Sequence, residues 1–230
     1  MQMQSPIIRF ERPVTFVGGG DVSLATYTFC TGIGRDVIAV DGAARFVLDQ
    51  GHVPAAVLGD FDSLDDSTRS ELPSDVLHHV AEQDTTDFDK ALRSIEAPLI
   101  LAAGFLGKRV DHELAALNVL VRHAHKRCVL VGEVSSIAVV PSDLHLELPE
   151  KTDFSLFPMG EVYGVSEGLE WPIEGLQFAP DAQIGTSNRI SGPVSLSMDG
   201  PRMLAIVPKE RTAALIKGLR AAPLWPAPSL

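Results

Sequence analysis

Cysteine is scarce: Cys30 and Cys128 are the only two, far apart and set among apolar or small residues. With no C-x-x-C and no Cys/His spacing, a disulfide framework and a structural zinc site are both excluded, and a reducing cytoplasm is the expected compartment. Positive charge is short as well. The 19 Lys and Arg face 30 Asp and Glu, for a net charge of −11. A surface that tracks nucleic-acid phosphates needs a basic stripe, and none is present. No apolar run approaches the ~20 residues of a membrane span. The opening MQMQSPIIRFERP lacks the apolar core of a signal peptide. The phosphate loop G-x-x-x-x-G-K-[ST] is absent, and His112-Glu113 is no zinc motif because position 116 is Ala. A polyanionic substrate would therefore need screening by a metal or by a local Arg or Lys.

What is present is a soluble, globular composition: 230 residues, 45% hydrophobic and 21% charged, enough for one or two domains. The stretch of most interest is Gly59-Asp60-Phe61-Asp62-Ser63, at the end of the apolar run Ala55–Leu58. Alternation places Asp60 and Asp62 on one side of the chain and turns Phe61 into the core. Two such close acids repel unless a cation lies between them, and hard oxygen ligands suit Mg²⁺. The alternative is a solvated turn capped by Asp and Ser. Val37–Val40 is a second strand ending in an acid, Asp41, and a helix follows to Gln50, with Gly51 as its C′ residue. Strand, helix and strand in this rhythm imply a parallel sheet, whose ligands sit beyond the carboxyl ends of the strands. Asp41, Asp60 and Asp62 share that edge. If these acids bind metal, replacing Asp60 or Asp62 by Asn abolishes turnover and leaves thermal stability equal or higher, because repulsion is relieved.

Other stretches fit the same half. Val14–Val17 ends in Gly18-Gly19-Gly20, either a phosphate-approaching turn or a plain strand-to-helix turn. Val76–Val80 reads as a strand. Thr86 reads as the N-cap of a helix that buries Phe88, Ala91, Leu92 and Ile95. Asp84 and Asp87 stand at its positive end, as caps or with one acid reaching the metal. After the strand Leu99–Ala102, residues 104–112 form a loop that delivers Arg109 to the sheet edge, for a structural Asp pair or a phosphate. A helix then buries Leu114, Leu117, Leu120 and Val121, and His123 and His125 are expected at the surface. From Ser135 the helical pattern stops. Seven short runs follow, among them Ala182–Ile184 and Val194–Met198, with a hairpin signal at Asp199-Gly200, which suggests an antiparallel sandwich. Lys209–Arg220 reads as a closing helix and Pro223–Leu230 as a docked or frayed tail. The expected organisation is an α/β domain over 1–140, with a Rossmann-like parallel sheet, and an all-β sandwich over 141–230.

With these motifs assembled, the chain resembles the thiamine pyrophosphokinases. The resemblance rests on Asp41-Gly42-Ala43, Gly59-Asp60-Phe61-Asp62-Ser63, Gln83-Asp84-Thr85-Thr86-Asp87, Gly107-Lys108-Arg109-Val110-Asp111-His112, Gly168-Leu169-Glu170-Trp171-Pro172 and Thr186-Ser187-Asn188. It implies transfer of diphosphate from ATP to the hydroxyl of thiamine, releasing AMP, with Mg²⁺, in a homodimer that binds thiamine between subunits. Carried onto this chain, it implies Mg²⁺ on Asp41, Asp60, Asp62 and Asp87, and Arg109 on the transferred group. It further implies Gln83, Asp84, Thr86 and Asp111 around nucleotide or metal waters, and Asp87 or Asp111 as proton acceptor. Trp171 would cover a thiamine ring, with Ser187 and Asn188 on the pyrimidine. The family pattern D-G-G-A-N stands here as Asp41-Gly42-Ala43-Ala44-Arg45, and G-G-R-x-D-H has Lys108 at its second glycine. In D-H-x-L-A-N, this chain has Ala116. These departures bear on nucleotide preference and pocket shape. Two other readings fit the residues: a diphosphokinase for another hydroxymethyl heterocycle such as a pterin, and a nucleotide-binding regulator without turnover. The first is separated by testing acceptors, the second by ATP binding without AMP release.

Overall fold

The computed structural model describes residues 8–82 and 84–228, in two compact units that divide between Val119 and Leu120. The first unit runs β1 (Ile8–Arg9), β2 (Val14–Val17), α1 (Leu24–Ile33), β3 (Asp36–Val40), α2 (Ala43–Asp49) and β4 (Ala56–Gly59). It continues through α3 (Asp66–Glu71), β5 (Leu77–His79), α4 (Asp87–Ser94), β6 (Ile95–Glu96), β7 (Ile100–Ala103) and α5 (Val110–Arg122), which runs on past the division. Its main sheet is parallel, in the order β7-β2-β3-β4-β5, and β1 pairs with β6 apart from it. Every residue of β2, β4 and β7 is buried. Their unbroken apolar runs are what a sheet covered on both faces requires. Side chains start the helices: Ser23 Oγ accepts from Thr26 N, Asp65 Oδ1 from Thr68 N and Thr86 Oγ1 from Asp89 N. Gly51, at φ +75°, ends the turn after α2 in the left-handed conformation a C′ residue needs.

The sheet order sets where a ligand fits. From β2 the chain steps outward through β3, β4 and β5, then returns to the other side of β2 as β7. The carboxyl ends of β2 and β7 are thus neighbours whose chains leave in opposite directions, the switch point of an open α/β sheet. The two turns there lock together. Gly18 N donates to Ala103 O at 2.8 Å and Gly20 N to Gly104 O at 2.7 Å. A Cβ on Gly104, itself at φ +80°, would lie 2.4 Å from Gly18 O.

Three expectations for this unit change. α5 begins at Val110, so Asp111 and His112 belong to its first turn and not to the loop. Its buried face is Ala116, Val119 and Leu120, while Leu114 is 58% exposed. The large apolar residues lie around too much of the helix to mark one face. His123 falls on the same turn spacing as Val119 and Leu120, so it is buried, with its ring 5.7 Å from that of His125. The strand expected over Val76–Val80 is shortened to β5 by a 3₁₀ turn at Ser74–Val76.

The second unit is antiparallel throughout its strand pairs. It contains β8 (Cys128–Val131), β9 (Ser135–Val139), β10 (Asp143–Leu146), β11 (Asp153–Pro158), β12 (Gly164–Leu169), β13 (Thr186–Met198), β14 (Met203–Pro208) and α6 (Thr212–Ala221). β13 is the long element, and Val194–Met198 is only its second half. Residues 186–189 pair with β11, residues 194–197 with β10 and residues 195–198 with β12. β11 continues the pairing through β14 and β9 to β8. The turn at Asp199-Gly200 therefore carries the chain from β13 to β14 without making a hairpin, because β11 stands between them. Ala182–Ile184 forms no strand; Gln183 makes a single bridge to Phe178. The tail is docked by Trp225, whose indole N–H donates to Val140 O at 2.9 Å.

The glycine lock generates a test. Gly104→Ala should lower stability by about 2 kcal/mol or more, from left-handed strain alone, before the clash with Gly18. Gly19→Ala, whose Cβ meets nothing within 4 Å, should be neutral. Urea midpoints of the two variants check this, and equal midpoints would remove the lock.

Candidate active site

The main cleft of the first unit opens at the switch point, with a volume of about 520 Å³. Gly18–Gly20 and Gly104–Arg109 form one side of it, Asp41, Gly42 and Ser63 another, and Thr86, Asp87 and Phe88 a third. Four described non-glycine residues have left-handed backbones, and three of them surround this region: Asp41 at φ 50°, Phe61 at 66° and Lys108 at 62°. Such strain persists where neighbouring structure imposes it, and it concentrates at functional sites.

The acids after β3 and β4 are arranged differently from the alternation. β4 stops at Gly59, and Asp62 N donates to Asp60 Oδ1 at 3.3 Å. Phe61 does pack inward, against His79 at 5.4 Å and under the Arg69 guanidinium at 5.8 Å, but through its left-handed turn. Asp60 is turned in and Asp62 is exposed, so the two carboxylates do not form a matched pair on one side.

The cation that Asp60 requires is supplied by the chain itself. Lys90, on α4, is 2% exposed, and its Nζ donates to Asp60 Oδ2 and to Asp87 Oδ1, each at 2.9 Å. Sequence reasoning passed over it. Its signal was present: Lys90 follows Asp87 by three residues, one helical turn, within a buried stripe where an unpaired lysine is not tolerated. Burial pulls the Lys90 ammonium toward neutrality, yet its two carboxylate partners together hold its pKa above the usual lysine value. The hydrogen bond from Lys90 holds the Asp60 carboxyl below the usual range, against burial.

Asp41 is 8% exposed, and a Cβ on Gly59 would stand 3.0 Å from its own Cβ. Its Oδ1 is buried with no hydrogen-bond partner among the described residues. A buried carboxylate oxygen without a donor is costly unless something positive meets it. Hard carboxylate oxygens on Asp41 and Asp87, beside Asp60, fit Mg²⁺, which takes one or two carboxylates and completes its shell with water and phosphate. Among the described residues no three acidic, histidine or cysteine side chains converge as a ready cage.

Arg109 lines the cleft, but its fork is engaged. Nε donates to Asp111 Oδ1 at 3.1 Å and Nη2 to Oδ2 at 2.5 Å. That fork lowers the Asp111 carboxyl to about 2. Both side chains are largely exposed, so the pair adds little to stability. Glu113, also in the first turn of α5, accepts from Gly107 N. Thr86 lines the cleft as the α4 cap. Asp84 is exposed and, like Asp111, lies off the lining, and Gln83 lies outside the described residues. In the second unit, Trp171 is half exposed and Ser187 exposed. Asn188 is buried: its Nδ2 donates to Trp171 O at 2.6 Å, and its Oδ1 accepts from Trp171 N at 3.1 Å and Arg189 N at 2.9 Å. That amide is occupied in fixing the Trp171 backbone.

Residues 35–131 match the family model of the thiamin pyrophosphokinase catalytic domain, a span that includes Asp41, Asp60, Asp87, Lys90 and Arg109. Thiamine pyrophosphokinase 1 of Oryza sativa subsp. japonica is 32% identical over 154 residues, which are 59% of this chain and 58% of that one. The match thus spans less than two thirds of this relative's length. Thiamine pyrophosphokinase of Bacillus subtilis is 27% identical over 165 residues, 66% of this chain and 77% of its own. Thiamin pyrophosphokinase of Geobacillus thermodenitrificans superposes with a TM-score of 0.68 at 23% identity, over 85% of this chain and 96% of that structure. The yeast enzyme gives 0.70 at 16% identity, over 90% and 89%. The fold is that of the solved thiamin pyrophosphokinases. Over the matched segment the chain is similar to the thiamine pyrophosphokinases.

The Lys90 bridge reverses the expectation that Asp60→Asn preserves stability. Lys90→Met should cost about 3 kcal/mol, the scale for breaking a buried ion pair, and Asp60→Asn should also destabilise, whereas Asp62→Asn should not. The sign with pH follows from the two shifts. Asp60 is depressed, so its contribution is complete above ~4 and is lost as pH falls through the folded value. Lys90 is raised, so its contribution is complete below ~10 and is lost as pH rises through the folded value. The melting-temperature gap between the unaltered chain and Lys90→Met should be widest between those limits and close on the acid side. A gap independent of pH would contradict the pairing.

Proposed function

We propose that the chain is a thiamine diphosphokinase, moving the diphosphate of ATP onto the primary hydroxyl of thiamine and releasing AMP. The observation that carries the reading is a switch-point cleft bearing an unpartnered buried carboxylate oxygen on Asp41, with Asp87 and two cations, inside the segment that matches the family's catalytic domain. Asp41 and Asp87, with Asp60 beside them, would hold Mg²⁺, which supplies charge neutralisation on phosphate oxygens when bound. Lys90 keeps Asp60 and Asp87 at a fixed separation, so no carboxylate has to be gathered in when substrate arrives. Asp87 lines the cleft and is the better-placed acceptor for the hydroxyl proton. Asp111 lies off the lining, its carboxylate engaged by Arg109. In this reading Asp84 and Thr86 serve the nucleotide, Gln83 keeps the nucleotide role the resemblance implies for it, and Asp62 serves the metal waters.

The reading extends to the second unit. A sandwich over 141–230 would bind thiamine and make the dimer, with the α/β catalytic domain over 1–140 built on a Rossmann-like sheet. Trp171 offers an exposed ring to stack on thiamine, Asn188 holds that ring's backbone in place, and Ser187 faces the pyrimidine. A homodimer in the cytoplasm, acting on small molecules alone, completes the proposal. No described helix is long and apolar enough to cross a membrane.

Incubation with thiamine, Mg²⁺ and ATP labelled at the β-phosphorus tests the reaction. Label should appear in thiamine diphosphate and none in AMP. ADP and thiamine monophosphate as first products would overturn the diphosphotransfer.

A further inference from the structure

The cleft is poor in free positive charge for a site that would bind a polyanion. The chain carries a net charge of −11, and Asp41 and Asp87 line the cleft. Two permanent cations share that lining, Lys108 and Arg109. Arg109 is matched by Asp111 through two parallel hydrogen bonds, so it approaches an incoming phosphate as half of a neutral pair. Lys108 differs. Among the described residues it makes no ion pair, and its Nζ donates to one neutral acceptor, Gly19 O, at 3.0 Å.

The backbone presents Lys108 deliberately to that side. Residue 108 sits at φ 62°, a conformation that disfavours every side chain and suits glycine. The turn around it is clamped: Gly107 N donates to Glu113, and Arg109 N donates to Gly107 O at 2.9 Å. The clamp holds residue 108 at the rim of the β7 turn, from which its ammonium reaches the adjoining Gly18–Gly20 turn. The related pattern G-G-R-x-D-H has glycine at this position. Here a side chain occupies the left-handed position, with its strain, and a charge is gained.

We propose that Lys108 is a phosphate-binding residue of this cleft, exchanging its bond to the Gly19 carbonyl for one to the phosphate chain of the nucleotide. The inference rests on the ATP-dependent reading above and names which charge grips the ATP. The exchange is downhill because a charge-assisted bond to a phosphate oxygen is stronger than one to a neutral carbonyl. Arg109 stays with Asp111 and serves geometry more than initial capture.

Calorimetric titration with Mg-ATP, and separately with adenosine, tests this on the full chain and on Lys108→Ala, Lys108→Gly and Lys108→Arg. The side chain is exposed, so these variants should fold. The Kd for Mg-ATP should weaken about tenfold in the Ala and Gly variants, the scale of one charged hydrogen bond, and change little in Lys108→Arg. Adenosine affinity should stay constant across the set. Lys108→Gly should melt above Lys108→Ala, since only glycine relieves the φ strain. Equal Mg-ATP affinity in the unaltered chain and in Lys108→Ala would overturn the assignment. No Mg-ATP binding by the unaltered chain would defeat the diphosphokinase reading itself, and this inference with it.

Discussion

A lysine side chain that is nearly inaccessible to solvent, held between Asp60 and Asp87 by two 2.9 Å bonds, ties the end of β4 to the first turn of α4. Without it the first unit would gather several carboxylates at one sheet edge with nothing to oppose their repulsion. With it, Asp60 and Asp87 are satisfied and spatially fixed, while the Asp41 Oδ1 stays buried without a hydrogen-bond partner among the described residues. The arrangement separates two tasks that the acids would otherwise share. Lys90 stabilises the protein, and the remaining carboxylate valence is directed at the cleft. A buried pair of this kind contributes less to net stability than its Coulomb energy implies, because both groups leave water. Its larger contribution here is position.

The second constraint is the sheet order. A parallel sheet that reverses direction between β2 and β7 leaves a gap at their carboxyl ends, and the interlocked glycines narrow that gap to backbone. Side chains arrive at its rim from left-handed positions at Asp41 and Lys108, outside the ordinary range for L-residues. Strain and a missing hydrogen bond therefore meet at one place. Elsewhere in the first unit α1, α3 and α4 are capped by side chains and β2 and β7 are buried, as local propensity demands.

Much of this was legible in the sequence. Short apolar or β-rich runs that lead into glycine or aspartate gave away β2, β3, β4 and β7, and the Thr86 cap located α4. The change of period near Ser135 marked the antiparallel unit. What escaped has physical causes. Period-2 alternation cannot see a left-handed residue, so Phe61 separated Asp60 from Asp62. A helix that is apolar on several faces does not reveal which face is buried, so Leu114 was placed inside and His123 outside. An Asp-Gly turn specifies a reversal and not a partner, so β13 and β14 were joined as a hairpin. For Lys90 the pairing with Asp60, thirty residues away, leaves no local pattern, and the three-residue spacing to Asp87 was its one local sign.

The central claim is that metal and nucleotide meet at Asp41 in the first-unit cleft. The most direct measurement is the melting temperature with and without Mg²⁺ and a non-hydrolysable ATP analogue, in the unaltered chain and in Asp41→Asn. Ligands that bind only the folded state raise its stability by mass action. The account predicts a clear rise in the unaltered chain and its loss in Asp41→Asn, with the unliganded variant no less stable. An equal rise in both proteins would place the metal and nucleotide elsewhere and contradict the account.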